Sequence, residues 1–501
     1  MEQLENTGFE EGMPSDWHIY TTGTKHICTY SETGRSGGFS MAIEYPTREI
    51  GKVATFIQSL QIDITKTYKL SGWMMTEAID GKGASIKVEW RDVAGEDLGT
   101  SRIMTYQVGT IPWTNFEGDV TPNPGATEAT IVLSLSDCSG KVWFDDISLM
   151  DVSPTETLIY YPNIYLNASE IDAIKVKKNV SPWKIQYDNL VKEANISLGV
   201  PPQSVTLGGK MPPSGNKHDY YSEMPSGADR YDYLAAAKLG NAVRSLGLTY
   251  SLTGNMKYVN KAVEFINVWC IRSDTKMTPK FTDFNDQGYI ELCVTMPSMF
   301  YGASLIWNNV DWSKSDKAAF KQWVQLFIYS ARTWTRGNNF ENWRLVFIGS
   351  ASVITGDIVN LKYAFDKWKV LMRNQVDYSG RIVTEIGRSN SLSYSTYALN
   401  GMIQTAEIAK HNGVDLYNYK LPDGRCLEKV LDFYAPYVVN PSTWPYPQVI
   451  PYDGANAALY ELAYAFKRKA AYKNVINKWK RPMYEKRVMG PVTLTHGVVL
   501  V

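Results

Sequence analysis

Histidine and cysteine are scarce in this chain, with five of each among 501 residues. Cys28, Cys138, Cys270, Cys293 and Cys426 form an odd, scattered set with no C-x-x-C pair, which argues against both a disulfide framework and a thiolate zinc site. The expectation is that most are small buried hydrophobes. Net charge is also absent: 51 basic residues offset 51 acidic ones, with no basic block or acidic tail. That balance argues against nucleic acid or a membrane surface as a partner. Capture of a polyanion would then depend on a local patch and not on the molecule as a whole. No apolar run is long enough to span a bilayer. The first residues do not read as a signal peptide, although Met1-Glu2-Gln3 is compatible with a start placed on a mature secreted chain.

What the chain has in quantity is aromatic: 32 Tyr and 15 Trp. Such rings stack on sugar faces and also fill large helical and jelly-roll cores. The 44% hydrophobic and 20% charged content is that of a globular protein, and the length implies two or three domains.

Two kinds of periodicity divide the sequence. Residues 1–152 alternate with period two in stretches such as Lys69–Met75, Ser85–Trp90 and Thr130–Leu135, separated by Gly, Asp, Asn and Pro turns. Short strands at that spacing predict an all-β jelly-roll sandwich. Exposed aromatics such as Trp17, Trp90 or Trp113 could meet sugar, though each is the more ordinary core residue. Residues 153–160 read as a linker. From 161 to 501 the period becomes about 3.6. Helices are predicted over the stretch that opens at Tyr231 and over Met256–Trp269, joined by the turn Thr253-Gly254-Asn255. Further helices are predicted near 290–308, 315–335, 343–355, 360–376, 392–411, 425–437 and 456–470. Serial helix pairs of this kind imply an α/α toroid or incomplete barrel, with a groove lined by inter-helix loops.

Three constellations in the helical part could carry chemistry. The loop Gly215–Pro225 contains His218, Tyr220 and Tyr221, and a loop histidine beside tyrosines can bind a carboxylate or shuttle a proton. Its structural alternative is a loop anchored by the imidazole. The run Asn338-Asn339-Phe340-Glu341-Asn342-Trp343 offers amide donors before a helix, or a helix cap. In Glu385–Tyr397, Arg388 and Tyr394 can converge if the helix begins near Ser391, with Ser391 as its N-cap and Tyr397 one turn further on. The alternative pairs Arg388 with Glu385 and leaves the tyrosines in the wall.

The stretch Glu385–Tyr417 resembles the signature of the alginate-lyase-type polysaccharide lyases, E-[LI]-x-R-x-x-S-L-x-Y-x-x-[FY]-x-L followed by A-x-x-G-V-D-L. The H-D-Y-Y-S run at His218, the helix Leu252–Trp269 and the loop from Met277 are similar to parts of the same family, in the same order. The resemblance implies cleavage of a 4-linked uronate polymer such as polymannuronate or glucuronan by β-elimination. Asn339 and Arg388 would neutralise the carboxylate, Tyr394 would act as base and acid, and His218 would assist. Asn338, Tyr220, Tyr221, Trp343, Tyr397 and Glu385 would contact substrate. One departure stands out: Phe340 occupies the place of the histidine in the family's N-N-H-x-x-W. One tyrosine can serve syn elimination, in which H5 and O4 lie on one side, so mannuronate- or glucuronate-type bonds are favoured. No catalytic cofactor is implied, and the substrate class implies a secreted, periplasmic or cell-surface bacterial location.

The first and last strands of the β domain are similar to those of carbohydrate-binding modules, a resemblance that implies Glu10 and Asp146 as ligands of a structural calcium. Two other functions stay open. A glycoside hydrolase would need a carboxylate pair from Glu341, Glu385, Asp283 and Asp286. A non-catalytic glycan-binding relative would have lost activity at Phe340.

Overall fold

The computed structural model describes residues 2–10, 16–64, 66–152, 161–224, 227–281 and 286–501, with the side chain of Asp286 left aside. Two compact units divide the chain, Met1–Thr157 and Leu158–Val501. The segment read as a linker, 153–160, lies outside the described residues.

The first unit is a curled antiparallel sheet of β1 (His18–Thr21), β2 (Ile27–Ser31), β3 (Ser40–Tyr45), β4 (Val53–Gln61), β5 (Tyr68–Arg91), β6 (Asp97–Val120) and β7 (Glu128–Asp151). The early part of β7 pairs with β4 and the late part of β5; its late part pairs with β3 and the early part of β5. One strand thus serves both layers of the sandwich. Alternation then sends Ala54, Phe56, Ile86, Val88, Ile131, Leu133 and Leu135 inward from one layer, against Met41, Ile43, Leu70, Met74, Val142 and Phe144 from the other. The sequence expectation of separate short strands is corrected here: Lys69–Met75 and Ser85–Trp90 are two arms of the single strand β5. The bend between them is made at Ala78, Gly81 and Gly83, with φ of 50°, 131° and 115°. A Cβ on Gly81 would lie 2.3 Å from the Asp137 carbonyl oxygen, so glycine is required at that corner.

Trp17 and Trp90 are core residues, and the Trp90 indole donates to the Ser101 hydroxyl at 2.9 Å. Glu10 accepts backbone N–H groups of Gly38 and Phe39 at 3.0–3.1 Å. Asp146 accepts from the Ser36 hydroxyl at 2.6 Å and from Arg35 at 3.0 Å. Both acids therefore spend their oxygens clasping the 35–39 loop. The Arg35 guanidinium pairs with Asp146 there.

The second unit holds α1 (Ala168–Lys177), α2 (Trp183–Leu198), α3 (Tyr231–Thr253), α4 (Met256–Ile266), α5 (Asp286–Ile306), α6 (Lys314–Thr333), α7 (Asn339–Thr355), α8 (Ile358–Gln375), α9 (Ser391–His411), α10 (Leu427–Val439), α11 (Leu459–Phe466), α12 (Ala470–Trp479) and α13 (Val492–Thr495). Helices α3, α5, α7 and α9 pack in succession, and α4, α6 and α8 lie against them from outside. This is the α/α toroid. The inner helices α7 and α9 are buried on nearly all sides, which is why they lack a clean amphipathic stripe. Close approach depends on glycine. A Cβ on Gly302 of α5 would lie 2.3 Å from the Val243 carbonyl oxygen of α3, and one on Gly401 of α9 would lie 3.0 Å from Cβ of Asn342 on α7. The second contact packs the first turn of α7 against the middle of α9.

Candidate active site

Helix α7 begins where Asn338 caps it, its side chain accepting from the Phe340 N–H at 3.2 Å. This is the capping alternative, and it leaves Asn338 a structural contact first. The next residue, Asn339, is fully buried and turns toward Glu385. The Glu385 carboxylate accepts the Asn339 backbone N–H at 2.7 Å and its side-chain amide at 3.0 Å. An anion at a helix N-terminus satisfies donors that the helix cannot. Burial still pushes the Glu385 carboxyl up, against the pull of Asn339 and Arg388. Oδ1 of Asn339 is buried without a hydrogen-bond partner.

Arg388 lies 3.9 Å from the Glu385 carboxylate, and its guanidinium carbon is 3.9 Å from the centre of the Tyr394 ring. Tyr394 occupies the first turn of α9, its N–H bonded to the Asn390 carbonyl at 3.0 Å. The N-cap position of α9 is Asn390 and not Ser391, a correction of one residue; the Ser391 hydroxyl instead donates to the Pro447 carbonyl at 2.6 Å. Asn339, Glu385, Arg388 and Tyr394 thus form one contiguous chain of contacts. Arg388 is 39% exposed, so it keeps donors for a ligand.

The remaining sequence candidates fall into different places. Phe340 is half-buried, with its ring stacked on Tyr289 at 6.2 Å. His218 is tied by Nδ1 to the Lys276 carbonyl at 2.7 Å, which makes Nδ1 the protonated nitrogen when the ring is neutral. It lines a hollow with Cys270, Met277 and Trp323. Among the described residues no hydrogen bond, ion pair or ring contact joins it to Asn339, Glu385, Arg388 or Tyr394. Tyr220 is buried and donates to Glu291 at 2.8 Å, while the Tyr221 N–H is held by Asp232 at 2.8 Å. Trp343 is buried behind Tyr397, ring to ring at 5.0 Å. Glu341 is fully buried in an ion pair with Arg344, whose Nη1 also donates to the Ala331 carbonyl at 2.9 Å. That commitment makes Glu341 a poor hydrolytic acid. Asp283 lies outside the described residues.

Three residues missed by the sequence reading extend the surface around Tyr397. The exposed Arg487 lies over the Tyr397 ring at 5.6 Å and donates to the Tyr233 hydroxyl at 3.0 Å. Arg230 covers Tyr233 at 4.5 Å and pairs with Glu291 at 2.6 Å. Arg487 follows α12 in a stretch without a motif, so its only sequence signal was its charge. Its loop is organised by the buried Glu485, which accepts backbone N–H groups of Arg487, Val488 and Met489 at 2.7–3.0 Å.

Among the described residues one group has the spacing of metal ligands, Glu170, Glu407 and His411. Lys410 already supplies its cation, bonding Glu407 at 2.8 Å and Glu170 at 3.4 Å. His411 bonds Glu170 at 2.6 Å, so the cluster reads as an internal ion network.

Residues 204–444 match the alginate lyase family. The fold is similar to that of an alginate lyase from Bacteroides ovatus, with 24% identity and a TM-score of 0.59 over 68% of this chain and 100% of that one. It is also similar to alginate lyase A1-III from Sphingomonas species A1, with 17% identity and a TM-score of 0.55 over 69% of this chain and 99% of that one. No curated protein matches the sequence.

Proposed function

We propose that the helical unit is a polysaccharide lyase of the alginate-lyase type that cleaves a 4-linked polyuronate by β-elimination centred on Tyr394. The observation that carries this reading is the unbroken contact chain Asn339–Glu385–Arg388–Tyr394. It joins a buried amide, an available guanidinium and a phenol at the starts of two packed helices.

The chemistry needs three things. Charge on the C5 carboxylate must be offset, because the C5 proton is not otherwise acidic enough to leave. Arg388 supplies positive charge and donors there, and Asn339 supplies an amide held in one orientation by Glu385. Next, the phenolic oxygen of Tyr394 acts as the base that takes the C5 proton, beside the Arg388 guanidinium 3.9 Å from the centre of its ring. The C5–H electron pair moves to form C4=C5 as the C4–O4 bond breaks. Tyr394, now protonated, returns the proton to O4.

Such a one-residue proton relay fits syn geometry. Phe340 cannot transfer a proton, and His218 makes no contact with this cluster among the described residues. Both facts favour mannuronate- or glucuronate-type bonds over guluronate, whose H5 and O4 lie on opposite faces. A substrate of this size is met outside or at the surface of a cell, so a secreted or periplasmic location belongs to the proposal; among the described residues no helix is long and apolar enough to cross a membrane.

The test is the near-ultraviolet absorbance of the unsaturated product on polymannuronate, polyguluronate, glucuronan, hyaluronan and xanthan-type polymers, with Tyr394→Phe in parallel. Absorbance that rises on a mannuronate or glucuronate polymer and disappears in the variant is the expected result. New reducing ends without absorbance would point to hydrolysis and remove the reading.

A further inference from the structure

The ion network at the far end of α9 holds more ligating groups than Lys410 satisfies. Tyr394 and Glu407 stand near opposite ends of that helix, about 20 Å apart along its axis, so the network lies outside the candidate active site. It joins three separate elements: Glu170 of α1, Glu407 and His411 in the last turns of α9, and His496 directly after α13. Glu407, His411 and His496 are more than nine-tenths buried, with side-chain exposures of 4%, 1% and 8%.

The two histidines are wired in the same way. Nδ1 of His411 lies 2.8 Å from the Glu407 carbonyl oxygen, which can only accept, so Nδ1 carries a proton. Nε2 then points at the Glu170 carboxylate, 2.6 Å away. A cation has to join that pair, either a second proton on the ring or a metal ion. Nδ1 of His496 lies 2.8 Å from the Thr495 hydroxyl oxygen, whose own hydrogen is directed at the Pro491 carbonyl at 3.2 Å; Nδ1 is therefore the donor here too. Its Nε2 is buried without a hydrogen-bond partner, 3.8 Å from Oε1 of Glu407. An imidazole whose Nδ1–H is fixed on an oxygen, with Nε2 turned toward carboxylates, has the orientation of a metal-binding histidine. Two such rings converge on the same two acids. Further donors hold those acids in place: the Tyr417 hydroxyl on Glu407 at 2.6 Å and the Asn167 N–H on Glu170 at 2.9 Å.

We infer that Glu170, Glu407, His411 and His496 form a structural zinc site, with Lys410 as the cation that zinc displaces. Two imidazoles and two carboxylates complete a tetrahedral donor set, and the nitrogen donors favour zinc over calcium or magnesium. Zinc with ligands at about 2.1 Å needs them about 3.4 Å apart. Ligand atoms of Glu170, Glu407 and His411 already lie within 4.8 Å of one another, a small side-chain rotation from that spacing. Lys410 holds Glu407 at 2.8 Å and Glu170 at 3.4 Å, but its side chain is half exposed and can turn to water. On binding, the ammonium leaves the acids and the Nε2 proton of His411 goes to solvent. Without zinc the same residues make the ion network with Lys410. With it, the ion ties the first helix of the unit and the segment after the last one to α9.

The test uses the untagged full chain stripped with EDTA, and zinc chloride as the probe. The chain's other histidines are His18, His26 and His218. Calorimetric titration should give one zinc per chain with a Kd of about 1 µM or below. Zinc at about a hundredfold over Kd should raise the unfolding midpoint by roughly 4 °C. His496→Gln should weaken binding at least about tenfold, and His26→Gln should leave it unchanged. Lys410→Met should tighten it, because ammonium and metal compete for the same oxygens. Circular dichroism checks the fold of each variant. Cobalt(II) bound to the wild-type chain should show the intense visible bands of a tetrahedral site, a readout that needs no variant. No binding tighter than about 100 µM overturns the inference, as does equal binding of calcium or a pale octahedral cobalt spectrum. Unchanged binding by folded His496→Gln, or weaker binding by folded Lys410→Met, does the same. None of these readouts depends on polymer cleavage, so the site stands or falls apart from the proposed function.

Discussion

Glu385 is the residue whose meaning changed most between sequence and structure. In the sequence it was an acid near a basic and phenolic motif; in the fold it is a buried clamp on the first residue of α7. Replacing it by Gln places an amide donor against two Asn339 donors. Leaving one buried donor unsatisfied should cost about 1–3 kcal/mol of stability. Because Asn339 would lose its fixed orientation, Glu385→Gln should also lower kcat more than it raises KM, a split that a merely structural role would not produce; equal effects on both would argue against the positioning role. Arg487 should behave differently. It lies at the edge of the cluster beside Tyr397 and Tyr233, so Arg487→Ala should raise KM for a carboxylated polymer by about tenfold with little change in kcat, as expected for loss of one charge-assisted contact. A kcat loss without a KM change would place Arg487 in the chemistry instead.

At the scale of elements, the turn between α3 and α4 was legible because Gly254 adopts a left-handed φ of 72° and Asn255 caps the next helix, both as their residue types ask. The helices α7 and α9 were legible in place but not in burial, because their faces are covered on all sides. Helices α1 and α2 were not read, since their exposed faces are rich in Lys, Asn and Ser and their cores short. The contact chain from Asn339 to Tyr394 could be suspected from the motif spacing alone. Arg230, Tyr233 and Arg487 could not, because the toroid brings them together from helices and loops far apart in sequence. Packing between inner helices makes its own prediction. A methyl group at Gly302 has no room against the α3 backbone, so Gly302→Ala should destabilise by about 1–3 kcal/mol, read as a lower unfolding midpoint.

For the whole molecule, the ion network between α1, α9 and the segment after α13 sets the response to acid. Burial opposes ionisation of Glu170, but the hydrogen bond and charge of His411, with Asn167 and Lys410, hold its carboxyl down at about 2. Burial pushes His496 down to about 4, and His411 is raised because its carboxylate partners outweigh burial. The signs follow from which state binds the proton. Unfolded chains protonate His496 below about 6.5, so stability is lost as pH falls from there to its folded value. Glu170 adds a second loss from about 4.3 downward. His411 acts oppositely, contributing below about 6.5 and fading as pH rises through its raised value. The unfolding midpoint should therefore fall in two stages on acidification, and His496→Gln should flatten the upper stage; an unchanged slope between pH 6 and about 4.5 would refute this account. The position of Arg487 has a further consequence for biosynthesis. The wall that it forms with Tyr233 and Tyr397 joins an early helix, a middle helix and a late loop. A chain growing from its N-terminus on the ribosome cannot finish that wall until the late loop has emerged, so nascent intermediates present an open, uncommitted groove. Full-strength capture of a carboxylated polymer should appear only after synthesis has passed Arg487, and a chain that stops just before it should bind the polymer more weakly for want of that wall.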